Sequence, residues 1–125
     1  MLKFPQTFKD LLQAGVFADY SLGYTNFNGF RSSYCYPYKW YSLEIESVSS
    51  LMLHPYSISE VTLIAESAKQ KVSKMELSAK IIREVKKYEG QLVSIFHNDT
   101  FTEEMEKFYI EFLFMANDPS KLDKA

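Results

Sequence analysis

Thiols, histidines, long apolar runs and excess charge of either sign are what this sequence has least of. Cys35 is its single cysteine, so no disulfide forms within the chain and a zinc site built on several thiolates is excluded. The two histidines, His54 and His97, stand too far apart for a His-x-x-x-His metal motif. No His-Glu-x-x-His motif, glycine-rich phosphate loop or Gly-x-Ser-x-Gly elbow occurs. No uninterrupted apolar run approaches the roughly 20 residues that span a bilayer, and residues 1–6 lack the apolar core of a signal peptide. The expectation is a chain that stays where it is made, the cytoplasm by default. Fourteen Lys and Arg against sixteen Asp and Glu leave a formal charge of -2, which gives no electrostatic reason to bind nucleic acid or an anionic membrane.

What is present points to one ordinary domain. A chain of 125 residues with 46% hydrophobic and 24% charged residues can bury roughly two thirds of its unfolded surface, so one core is expected. Aromatic residues make up 16%, with nine Tyr and ten Phe. Rings in that number imply an aromatic-rich core or an exposed surface that meets a partner.

Pro5 and Gly15 bracket a short amphipathic helix over residues 6–14, with Phe4, Phe8, Leu11 and Leu12 on one face. Residues 18–24 alternate weakly and predict a strand, followed by a turn-forming cluster at 25–29. Over 30–41 the chain is aromatic and irregular; Pro37 there favours an edge or a loop over a central strand. Residues 43–53 read as strand or loop. Ser73 and Glu76 form a capping box for a helix whose apolar positions Val72, Met75, Ala79, Ile82 and Val85 recur every three or four residues until Gly90. Residues 91–96 are a short apolar run of the kind buried in a parallel sheet, leading into a polar loop at 97–100. Thr100 and Glu103 offer a second capping box before the stripe Met105, Phe108, Tyr109, Phe112 and Leu113. The domain is predicted to occupy residues 1–116, with 117–125 a frayed tail. Strands alternating with helices predict an α/β fold, a partial (β/α) barrel with parallel strands. A full barrel of eight such units takes about 250 residues, so this chain supplies about half.

His97 follows a predicted buried strand at its C-terminal end, where α/β folds carry their reactive groups, and imidazole exchanges protons near neutral pH. Position alone fits equally a histidine that bonds a loop backbone. Asp99 is a partner for it in a small self-contained enzyme. Arg31 stands among rings that would desolvate a guanidinium, which then pairs with a carboxylate or packs over Tyr34 or Trp40. Tyr34, Tyr36, Tyr38 and Trp40 occupy alternate positions, which in extended chain puts four rings on one side; that face is core, or a platform for the C–H faces of a sugar. His54 precedes a proline with no companion ligand and has a loop role by default.

Several segments in order resemble the polysaccharide deacetylase family, the NodB-homology fold of carbohydrate esterase family four, and especially its divergent Bacteroidetes branch. They are residues 7–15 (TFKDLLQAG), 19–24 (DYSLGY), Gly29-Phe30-Arg31 with Tyr36-Pro37-Tyr38, 40–44 (WYSLE), Glu60-Val61-Thr62-Leu63 and 94–98 (SIFHN). The resemblance covers residues 7–113 and implies the C-terminal half of an irregular (β/α) barrel. In that family a divalent metal, usually zinc, is held by one Asp and two His and activates water, and a second Asp acts as base. Carried over, His97 is the general acid that protonates the departing amine, and Glu60 stands where an Asp tunes that histidine. Arg31 orients the catalytic Asp, and the Tyr34 backbone N–H helps hold the oxyanion. Ser33 replaces the proline of the family's Arg-x-Pro-Tyr. The aspartates and the His-x-x-x-His motif belong to the family's N-terminal half, for which this chain has no segment. The resemblance therefore implies a fragment or split part, inactive alone, with no metal ligands of its own. Its partner is an N-terminal half-barrel chain, or further copies of itself covering exposed apolar surface. The alternative is a non-enzymatic glycan- or protein-binding module using Tyr36, Tyr38 and Trp40.

Overall fold

The computed structural model describes residues 2–118. Among the described residues are four α-helices, α1 (Gln6–Gln13), α2 (Glu60–Gln70), α3 (Lys74–Lys87) and α4 (Glu103–Asn117), and five short strands, β1 (Ala18–Asp19), β2 (Tyr38–Ser42), β3 (Ser47–Leu53), β4 (Ile58–Ser59) and β5 (Ser94–Ile95), in the order α1-β1-β2-β3-β4-α2-α3-β5-α4. The class is mixed α/β, and the described strands do not close into a barrel.

The strands form two small sheets. In the first the order is β1-β3-β2; β1 runs parallel to β3, with Asp19 opposite Leu53, and β2 runs antiparallel to it. The expectation of parallel strands therefore fails at β2, which leads directly into β3 through a short hairpin with no helix between. Pro37 immediately precedes β2, an edge strand, as a residue without an N–H requires. The second sheet pairs β4 with β5 in parallel, Ser59 opposite Ile95. Residues 47–59 thread both sheets. Between β3 and β4 this segment donates from His54 N–H to the Asp19 carbonyl at 2.8 Å, from Tyr56 N–H to Leu22 at 3.0 Å and from Ser57 N–H to Val93 at 3.0 Å. The predicted strand at 18–24 contracts to β1, and that at 91–96 to a half-buried β5. β5 has a ladder partner on one side only, so its apolar run is not enclosed as an inner parallel strand would be.

Helix α2 was not expected. Ser59 stands at its N-cap but makes no side-chain cap, and the helix ends at Lys71 in the left-handed region at φ 56°, where glycine is the common residue. Its outward positions Val61 and Ile64 are apolar, which blurs the amphipathic pattern. α3 starts at the predicted cap, with the Ser73 hydroxyl accepting from Glu76 N–H at 3.0 Å. α4 is capped by Thr102, which accepts from Met105 N–H at 3.2 Å, and Thr100 has another task. α4 runs through Asn117, one residue into the predicted tail, and residues from 119 on lie outside the described residues.

In place of one core there are two clusters. The larger packs Ile58 and Leu63 against Leu77 and Ile82 of α3 and Met105, Phe108 and Phe112 of α4. The smaller joins Phe8 of α1 to Leu22, Leu51 and Leu53. No described helix is long and apolar enough to cross a membrane.

Candidate functional site

Parallel pairing of β4 with β5 fixes the site. With Ser59 opposite Ile95, both strands end side by side. Glu60 opens α2 directly after β4, and His97 follows β5 by two residues. The Glu60 side chain is completely buried. Its Oε1 accepts from the His97 backbone N–H at 2.9 Å, meets the His97 ring at Nδ1 at 2.5 Å and accepts from the Thr100 hydroxyl at 3.0 Å. Burial pushes the Glu60 carboxyl up, but the bonds from His97 and Thr100 outweigh it and hold the group below its ordinary value. The position at the first turn of α2 also favours a negative charge. An ionised carboxylate only accepts, so His97 Nδ1 carries the donated hydrogen, and Nε2 is left to exchange protons. Half of the His97 side chain is exposed, at 52%. Glu60 Oε2, also buried, has no partner among the described residues.

Two residues of this pair's support were not identified from sequence. Thr100, read as a helix cap, bonds Glu60 and also approaches the His97 carbonyl at 2.9 Å, closing the 97–100 turn. Asn28, read as an ordinary turn residue, anchors the 23–31 loop. Its side-chain amide donates to Glu66 at 2.6 Å and its carbonyl accepts from Ser59 N–H at 2.8 Å. Both depend on contacts more than thirty residues away in sequence, so no local signal marks them. Asp99 is exposed, and the partner of His97 is Glu60.

Arg31 donates from Nη1 to the Gly23 carbonyl at 2.9 Å and lies over the Phe4 ring, 5.1 Å from its centroid. Of the packing partners expected from sequence, neither Tyr34 nor Trp40 is used. No carboxylate among the described residues pairs with Arg31, and no hydrogen bond joins it to Glu60 or His97. Gly23 is required where it stands, since a Cβ there would sit 2.2 Å from the Tyr56 ring.

The four alternate rings do not share one free face. Tyr38 and Trp40 pack onto the smaller core, Trp40 at 5.5 Å from Phe8. Tyr34 and Tyr36 stay outside, 5.2 Å apart, and the Tyr36 hydroxyl donates to the Tyr88 carbonyl. Only Tyr38 and Trp40 lie on strand β2, while Tyr34 and Tyr36 precede it in irregular chain, so the extended geometry that alternation needs does not span all four. The following loop is held by Gln91 N–H donating to the Cys35 carbonyl at 2.7 Å, a close approach that leaves room only for glycine at position 90. The Tyr34 N–H donates no hydrogen bond within the described residues. His54 stacks on Tyr20 at 4.3 Å and bonds Gln91.

Among the described residues no three His, Cys, Asp or Glu side chains converge to hold an ion. The donor set present does not fit a zinc centre. Comparison with protein families, with curated proteins and with solved structures returned no match.

Proposed function

We propose that this chain is the acid-bearing C-terminal part of a polysaccharide deacetylase-like protein, about half of an irregular (β/α) barrel, and that it is hydrolytically inactive alone. The observation that supports this reading is the buried Glu60 carboxylate bonded to His97 at adjoining C-terminal strand ends. Glu60 fixes the ring and balances the charge that appears when Nε2 is protonated, so His97 can hand a proton to a departing amine. Water activation, the second half of such a hydrolysis, needs a base and in the resembling family a divalent metal; both would come from a complementary half-barrel. Arg31, with no carboxylate partner among the described residues, is the residue that would meet the complementary aspartate. Leu43, Ile45 and Val48, exposed at 85%, 68% and 60% around the β2–β3 hairpin, are apolar surface for such a partner to cover.

Two measurements test the reading. Acetate release from N-acetylglucosamine oligomers is expected to stay at the uncatalysed level with zinc or cobalt added to the chain alone; metal-dependent turnover by the chain alone overturns the inactive half-site. Long-range proton–nitrogen spectra of the His97 ring are expected to show the hydrogen of the neutral form on Nδ1. A ring carrying its hydrogen on Nε2 in the neutral form removes the dyad on which the proposal stands.

A further inference from the structure

Beside the 23–31 loop lies a cavity of about 570 Å³, within the range of small-molecule sites and open to solvent, that the Glu60–His97 pair does not line. Three of its ten lining residues are aromatic, Tyr24, Phe27 and Tyr56, and the ring centroids of Tyr24 and Phe27 lie 4.0 Å apart at a tilt of 33°. Thr25 and Asn26 add polar groups at the rim. Arg31 is the one charged residue in the lining, and no acidic side chain faces it there.

A guanidinium has five N–H donors, and among the described residues only Nη1 of Arg31 donates a hydrogen bond. The half-buried group is held by the Gly23 carbonyl on one side and the Phe4 ring on another, so its orientation is set before anything binds. Fixed planar donors beside ring faces, without a counter-charge, favour an anion joined to a flat or ring-shaped apolar body.

We infer that this cavity is a binding site for a small organic anion, a carboxylate or phosphate monoester carried on a ring, with Arg31 taking the anion and Tyr24, Phe27 and Tyr56 the ring. The site stands on the cavity of the free chain and does not need the deacetylase reading, in which a complementary aspartate would take up Arg31 instead. A free half-barrel is not needed for it, and its ligand is distinct from an acetylated neutral sugar.

Titration of the isotope-labelled full chain with benzoate, glucuronate, inorganic phosphate and glucose, followed by NMR, tests it. Saturable shifts are expected for benzoate or glucuronate at the Gly23, Thr25 and Asn26 amides and the Arg31 Nε–H, with glucose at least about tenfold weaker. Arg31→Gln is expected to abolish the shifts, while Arg31→Lys keeps the charge, loses the planar fork and binds weakly. Should Arg31→Gln fail to fold, Asn26→Trp serves, because Asn26 is exposed and a larger ring there narrows the cavity without touching Arg31. Equal shifts with glucose, phosphate binding as tightly as both ring-bearing anions, shifts confined to surface lysines, no shifts with any probe, or undiminished binding by Asn26→Trp each overturn the assignment.

Discussion

Glu60 concentrates the unusual physics of this protein at one residue. A fully buried carboxylate is tolerated because three donors converge on a single oxygen. Its folded-state pKa lies below the unfolded one, so its contribution to stability is complete above the ordinary value of 4.5 and is lost as pH falls through the lower folded value. Glu60→Gln keeps the shape and removes the charge. Urea unfolding at neutral pH is expected to show a loss on the order of 1–3 kcal/mol, with a flatter acid limb below the carboxylate range than the wild type. An unchanged acid limb would show that the carboxylate is not ionised in the fold. Gly23 is a second decisive residue. Gly23→Ala must displace the Tyr56 ring and with it the 3.1 Å bond from the Tyr56 hydroxyl to the Tyr24 carbonyl. A cost of about 1–3 kcal/mol is expected from overpacking, with the shifted Tyr56 ring visible in its aromatic resonances.

At the scale of elements, the two threonines before α4 divide labour in a way that spacing did not reveal. Thr102 caps the helix and Thr100 secures the turn that carries His97. Thr102→Ala is expected to cost about 1 kcal/mol and to fray the first turn of α4, read as faster amide exchange at Met105 and Glu106. Thr100→Val should leave that exchange unchanged while shifting the His97 amide and ring signals; fraying of α4 by Thr100→Val would return the cap to Thr100. The hairpin of β2 and β3 shows the same separation of local from long-range effects. Pro37 ends the irregular stretch where its missing N–H costs nothing, but which rings then turn inward was set by Phe8 and Leu51 on other elements.

Across the whole molecule, two apolar clusters hang on one segment, residues 47–59, which contributes Leu51 and Leu53 to the smaller and Ile58 to the larger. Shared backbone of that kind couples the clusters. Leu51→Ala and Phe112→Ala are each expected to lower a single common unfolding midpoint, by roughly 2–5 kcal/mol in stability, whether followed by far-ultraviolet dichroism or by the fluorescence of Trp40. Separate midpoints for the two signals would show that the clusters unfold independently. The short edge strands and the exposed Leu43, Ile45 and Val48 belong to this scale too, since together they leave backbone edges and apolar surface open to water.

The sequence by itself determined the α/β class, the amphipathic helices α1, α3 and α4, and the placing of His97 just past a strand, because each follows from local periodicity, caps and turn residues. Resemblance to known motifs added Glu60 as the companion of His97, a pairing that periodicity could not supply. Only the tertiary structure decided that β2 is antiparallel, that α2 exists, that Tyr38 and Trp40 turn inward, and that Asn28 and Thr100 brace the pair. Arg31 is the clearest case: its charge was legible, but its partners, Gly23 and Phe4, come from the folding of a loop and the chain's start onto it. The physical reason is common to all of these. Helix faces and caps are set by neighbours within a turn or so of chain, whereas a buried carboxylate, a ring's choice of side and a cation's partner are set by groups that meet only when distant segments pack.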